Sequence, residues 1–96
     1  MTNPPQFVIA SEAKFDIVLV LDWTRIHFGV EFEHRYEALI KQGILDVVSD
    51  PNRVGTKILD HIARDIRLYH LSHSRYRVPR NIGRMKHPRH ILIFRV

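Results

Sequence analysis

Apolar positions in the first half of the chain recur with a helical period. Ala13, Ile17, Val20, Leu21, Thr24 and Phe28 fall on one face of a helix that opens at Ser11, a capping residue, and stops at Gly29. The run Val18-Leu19-Val20-Leu21 alone would also suit a buried strand; its place inside the longer period favours helix. A second stripe, Phe32, Tyr36, Leu39, Ile40, Ile44, Val47 and Val48, leaves Glu31, Glu33, Glu37 and Lys41 mostly off its face and ends at Ser49-Asp50-Pro51. So short a connection around Gly29 predicts an antiparallel helix hairpin. Gly43, inside the second helix, marks a close packing contact.

The rest of the chain reads as strands and loops. Gln6–Ala10, an apolar run after Pro4-Pro5, is expected to be a strand. Asn52–Thr56 is a turn-rich loop, and Lys57–Arg64 is expected to form one or two helical turns around Ile58, Leu59 and Ile62. Asp65–His73 then alternates as a strand, with Ile66, Leu68 and His70 on one face and Arg67, Tyr69 and Leu71 on the other. After a loop holding Pro79, Gly83 and Pro88, His90–Val96 is the final strand. The pattern predicts a single α+β domain over residues 1–96, its helix hairpin packed on one face of a small, mainly antiparallel sheet. The expected core joins Ile17, Leu21, Phe28, Phe32, Tyr36, Ile40, Ile44 and Val47 to Ile66, Leu68, Leu92 and Phe94.

Charge sharpens this picture more than composition does. The 96 residues include no cysteine, which excludes a disulfide framework and thiolate metal sites. No run approaches the roughly 18 apolar residues needed to span a bilayer, and the expectation is a cytoplasmic protein with no membrane association. Residues 1–50 carry four Lys/Arg against eight Asp/Glu, and residues 51–96 carry eleven against two. The net charge of +5 therefore hides halves of −4 and +9, and no acidic residue occurs from Ile66 to Val96. That segment is expected to place its cations on the open face of the sheet and to attract an anionic polymer or an acidic peptide.

An ordered set of residues resembles a known family. Phe28-Gly29, Arg35-Tyr36-Glu37-Ala38-Leu39-Ile40, Asp50-Pro51 with Gly55, Ile66-Arg67-Leu68-Tyr69-His70-Leu71-Ser72-His73-Ser74-Arg75, and Pro88-Arg89-His90-Ile91-Leu92-Ile93-Phe94-Arg95 are similar to ParE-type toxins of the RelE/ParE superfamily. The similarity runs from about Phe7 onward. It implies the toxin of a type II toxin–antitoxin system, a non-enzymatic inhibitor of DNA gyrase held inactive in a hetero-oligomer by a ParD-like antitoxin. The sequence departs from the family in one respect, because another strand usually follows the one matching His90–Val96. The expectation is an unpaired sheet edge able to add a strand from another chain. Arg67, Tyr69, His73, Arg75, Arg80 and Arg84 are the candidate partner contacts, with no catalytic residue, metal or cofactor expected.

Other chemistries compete for the same residues. Messenger-RNA cleavage of the RelE type would draw on Arg67, Tyr69, His70, His73 and Arg75, since arginine pairs phosphate oxygens and histidine moves protons near neutrality. Strand parity, however, separates His70 from Arg67, Tyr69, His73 and Arg75. His70-x-x-His73 and His87-x-x-His90 suggest metal ligands, but a three-residue offset on a strand points to opposite faces, and hydrogen-bonded or exposed histidines are the plainer reading. Ser72 and Ser74 lack the sharp glycine turn and the positioned acid of a nucleophilic serine. The stretch Arg75–Lys86 mixes cations with Tyr76, Ile82 and Met85, a composition that suits direct nucleic-acid binding as well as a solvated loop. Trp23 is expected to pack in the core or within the hairpin rather than to serve as a ligand platform.

Overall fold

A computed structural model describes residues 7–96. Helices α1 (Ser11–Phe28) and α2 (Val30–Ser49) follow the two apolar stripes and are joined by Gly29 alone. The φ of 94° at Gly29 lies in the left-handed region, so glycine makes the reversal without a β-carbon penalty. Ala10 takes the N-cap position of α1 with no side-chain cap bond, so the expected serine cap is not made. Phe7–Ala10 is irregular rather than a strand; Gln6, the first residue of that expected element, lies outside the described residues.

Strands β1 (Thr56–Ile58), β2 (Ile66–His70) and β3 (Ile91–Arg95) form an antiparallel sheet in the order β1-β2-β3. The helical turns expected over Lys57–Arg64 are replaced by β1 and a turn. Leu59 N–H donates to Ile66 O (2.8 Å), and the Asp65 N–H donates to Asp60 Oδ1 (3.2 Å). Pairing Thr56–Ile58 with Arg67–Tyr69 satisfies backbone groups that a short, isolated helix would leave marginal. β2 is also shorter than expected. It ends at His70, whose Nδ1 accepts from the Ser72 N–H and caps a 3₁₀ helix, Leu71–Arg77.

Paired residues share a sheet face, so the register fixes which side chains meet the helices. Tyr69 pairs with Leu92 and Arg67 with Phe94, and Leu92 lies under Gly43 of α2. The inner face therefore carries Arg67, Tyr69, Leu92 and Phe94. Ile66 and Leu68, expected in the core, pair with Arg95 and Ile93 on the outer face. The parity of β2 is thus the reverse of the expected one. A tyrosine on the inner face is tolerated because its hydroxyl finds a buried partner, and Arg67 because its guanidinium reaches Pro51 O (2.9 Å) and Asn52 Oδ1 beyond the end of α2.

The core gathers Tyr36, Leu39, Ile40, Leu71 and Val78, with Ile17, Val20, Leu21, Ile44 and Leu92 packed around it. Phe28 and Phe32 were expected inside but are exposed, and so is Trp23, which stacks on His27 with ring centroids 4.2 Å apart. These aromatics cover one another at the hairpin tip.

Gly43 tests the packing. A β-carbon there would sit 2.6 Å from Leu71 Cδ2 and 3.4 Å from Leu92 Cδ1, and Leu71 is fully enclosed. Helix propensity alone makes Gly43→Ala stabilising by about 1 kcal/mol. Overpacking reverses the sign, and we expect a net loss of about 1–2 kcal/mol. Urea unfolding measures it; a raised midpoint would show that α2 is not seated closely on the 3₁₀ helix.

Candidate functional site

The six residues singled out for partner contact fall in four places. Arg67 and Tyr69 turn inward: Arg67 is bound to the Pro51–Asn52 backbone and side chain, and Tyr69 is fully buried. His73 leaves the strand for the 3₁₀ helix, where its ring lies against Gly55 and is tilted over Tyr69 at 5.6 Å. Arg80 is exposed in a turn closed by the Ile82 N–H to Pro79 O. Only Arg75 and Arg84 converge, on either side of Tyr76 in sequence and both over its ring, at 4.6 and 5.5 Å from its centroid. The six candidates therefore do not form an open sheet face; that face carries Ile66, Leu68, Ile91 and Ile93 together with Lys57, His70 and Arg95.

What turns Tyr69 inward is a buried carboxylate that sequence reading passed over. Asp46 lies on the inner face of α2 and accepts from Ser74 Oγ (2.6 Å), Gln42 Nε2 (2.9 Å) and Arg77 Nε (2.8 Å), with Arg53 Nη1 3.4 Å away. Because the carboxylate takes the Ser74 proton, Ser74 Oγ accepts from the Tyr69 hydroxyl at 2.7 Å. Burial alone would raise the pKa of Asp46. The three hydrogen bonds and the Arg53 charge outweigh it and hold the carboxyl below its ordinary value. A signal was present in the sequence, since an aspartate at the helical spacing of Leu39, Gly43 and Val47 breaks an otherwise apolar stripe.

A second polar pair joins α2 to the segment before β3. The Tyr36 hydroxyl and His90 Nδ1 are 2.5 Å apart. Burial raises the phenol's pKa despite the opposing backbone groups of Arg89 and His90, while burial and then the charge of His70 lower that of His90. The contact thus joins a neutral phenol to a neutral imidazole. No group of three or more His, Cys, Asp or Glu side chains among the described residues could hold a metal ion. No helix among them is long and apolar enough to cross a membrane.

A cleft of about 1310 Å³ opens between two banks. Phe7–Ala10 and the α1 residues Ala13, Ile17 and Val20 form one, and Ile91–Val96 the other, with Ile40, Ile44 and Leu71 on the floor. The sheet edge that borders it is open. Leu71 N–H donates to His90 O and Val96 N–H to Asp65 O, so the alternate pairs Tyr69–Leu92 and Arg67–Phe94 are those that exchange bonds across the ladder. Ile91, Ile93 and Arg95 therefore aim their N–H and C=O groups away from β2, and no strand among the described residues meets them. The rim is mixed in charge, with Glu12 and Asp16 on the α1 bank and His90 and Arg95 on the β3 bank.

The Asp46 network makes a pH prediction. With its folded pKa lowered, the carboxylate contributes stability that is complete above the unfolded value of about 3.9 and is lost as the pH falls through the folded one. Asp46→Asn is expected to cost about 1.5–3 kcal/mol at neutral pH and to flatten the acid limb of the stability profile. Parallel acid limbs in the two proteins, followed by urea unfolding, would show that another carboxyl governs it. In comparisons with known proteins, the chain matches no family model, no curated protein and no solved structure.

Proposed function

We propose that this chain is the toxin component of a type II toxin–antitoxin pair of the ParE kind, which inhibits DNA gyrase and is neutralised by a ParD-like antitoxin. The observation that carries the binding half of this reading is the cleft with its open β3 edge. An exposed ladder of N–H and C=O groups beside an apolar trough is what an added strand requires: backbone bonds give affinity, and alternate side chains enter the trough. At about 1310 Å³ the cleft exceeds the roughly 300–1,000 Å³ of small-molecule sites, so its size suits a peptide segment better than a metabolite. An antitoxin segment with apolar side chains toward the floor and an acidic one toward Arg95 complements the trough and the β3 bank. The acid-free stretch from Ile66 to Val96 adds long-range attraction for such a segment. The gyrase half rests on the resemblance of the ordered motifs.

Messenger-RNA cleavage is the weaker reading on geometric grounds. It needs basic and proton-transferring side chains around one scissile phosphate. Arg67 is occupied by the Pro51–Asn52 loop and Tyr69 has no exposed surface, so the proposed set shares no open pocket.

Ile93→Pro tests the cleft directly. The Ile93 N–H points away from β2, so proline there removes an outward donor without breaking the β2–β3 ladder. We expect the variant to fold with unchanged helical circular dichroism and to lose co-purification with a ribbon-helix-helix protein encoded next to this chain. Retained co-purification would move the partner elsewhere. Purified protein is expected to block supercoiling by gyrase and to leave ribosome-bound message intact, and message cleavage with normal supercoiling would replace this reading by the nuclease one.

A further inference from the structure

Apart from the cleft, the segment following β2 builds a second, smaller concavity of about 290 Å³, lined by Arg75, Tyr76, Arg84, Met85, Lys86 and His87. Its cations are held in place rather than free. Arg75 donates to Lys86 O and to the Tyr76 hydroxyl (2.6 Å), and Arg84 donates to Val78 O (3.2 Å) and Tyr76 O (2.8 Å). Since Val78 and Pro88 are buried, the loop between them is fastened at both ends and the guanidinium positions are set by backbone carbonyls.

No ion pair among the described residues neutralises them. Ion pairs among the described residues engage Arg25, Arg35, Lys41, Arg53 and Arg77, and none involves Arg75, Arg84 or Lys86. A carbonyl satisfies the hydrogen-bond direction of a guanidinium but leaves its charge, so the pocket keeps a net positive field with donors to spare. Beside that field stands an apolar wall. Tyr76 is 66% exposed although two guanidiniums lie over its ring, and Met85 lies next to it.

We infer that this pocket binds a nucleotide phosphate, with the phosphoryl oxygens on Arg75, Arg84 and Lys86 and the base against Tyr76 and Met85. A carboxylate from an acidic peptide would use the cations but leave the aromatic surface wet. A phosphate carrying an aromatic base uses both, because arginine pairs phosphate through several donors and a base stacks on any aromatic face. The volume, near the lower bound of small-ligand sites, holds one such unit. The same chemistry is offered by a free nucleotide and by one unit of a single-stranded nucleic acid. This site is separate from the cleft, so it stands or falls without the antitoxin reading.

Fluorescence anisotropy with labelled oligothymidylate and oligouridylate, and calorimetry with adenosine monophosphate, test it on the full chain. Tyr76→Ala removes the stacking surface and is expected to weaken binding roughly 5- to 150-fold, while Tyr76→Phe retains it. Lys86→Glu changes an exposed side chain and is expected to lower affinity, with the salt slope for an oligonucleotide shallower by about 0.7. Binding of oligonucleotides but not the mononucleotide assigns the site to single strands, and comparable binding of both assigns it to nucleotides in general. The inference is overturned if neither binds, if Tyr76→Ala and Lys86→Glu bind as the parent does, or if polyglutamate competes as well as the oligonucleotides.

Discussion

A carboxylate withdrawn from water is the constraint around which the second half of this protein is arranged. An isolated buried charge costs several kcal/mol, so Asp46 can occupy the inner face of α2 only if donors are brought to it. Gln42 comes from the preceding helical turn, but Ser74 and Arg77 lie beyond β2 and Arg53 lies in the loop before β1. Delivering all four requires the chain to leave the sheet after His70 and fold back over α2 as a 3₁₀ helix. The same demand turns Tyr69 inward, where its hydroxyl completes the chain of donors through Ser74 and its ring lies under Arg53 at 5.6 Å. Removing Ser74 leaves the buried Tyr69 hydroxyl without its partner, whereas each Asp46 oxygen has two, so the network hinges on the serine.

That network also explains where sequence reading succeeded and where it stopped. Both helices were legible because their stripes run for several turns and end at a glycine and at Asp50-Pro51. β3 was legible because it is a continuous apolar run. β2 was not read correctly, since Ile66-Arg67-Leu68-Tyr69-His70 offers two aliphatic side chains to one face and an arginine with a tyrosine to the other. Hydropathy favours burying the aliphatics, yet Arg67 is held by Pro51 and Asn52 before β1, and Tyr69 by Ser74, which is itself tied to Asp46 in α2; no periodicity encodes these ties. β1 was missed because three residues are too few to show alternation. Of the candidate contacts, Arg75 and Arg84 were gathered by the fold, whereas Arg67 and Tyr69 were taken up by structure; the cleft was anticipated only as an open edge.

The two concavities are opposed in chemistry. One is long, apolar and bordered by unpaired backbone; the other is small, cationic and walled by an aromatic ring. An occupant of the first would draw on desolvation and main-chain bonds as well as on charge, while an occupant of the second would draw chiefly on charge and lose affinity more steeply as ionic strength rises. The apolar residues left on α1, including Phe15, Leu19 and Ile26, extend the first kind of surface around the outside of the hairpin.

β3 has aliphatic or aromatic residues on both faces, Leu92 and Phe94 inward and Ile91 and Ile93 outward. Ordinarily a slip of one residue is prohibited because it would throw oil into water and polarity into the core. Here such a slip would exchange one greasy pair for another, so the strand's own pattern is indifferent to its alignment. What distinguishes the native alignment is found at the ends, in the Leu71–His90 and Asp65–Val96 backbone bonds and in the Tyr36–His90 contact. Alignment of the terminal strand is thus dictated by its punctuation and not by its spelling.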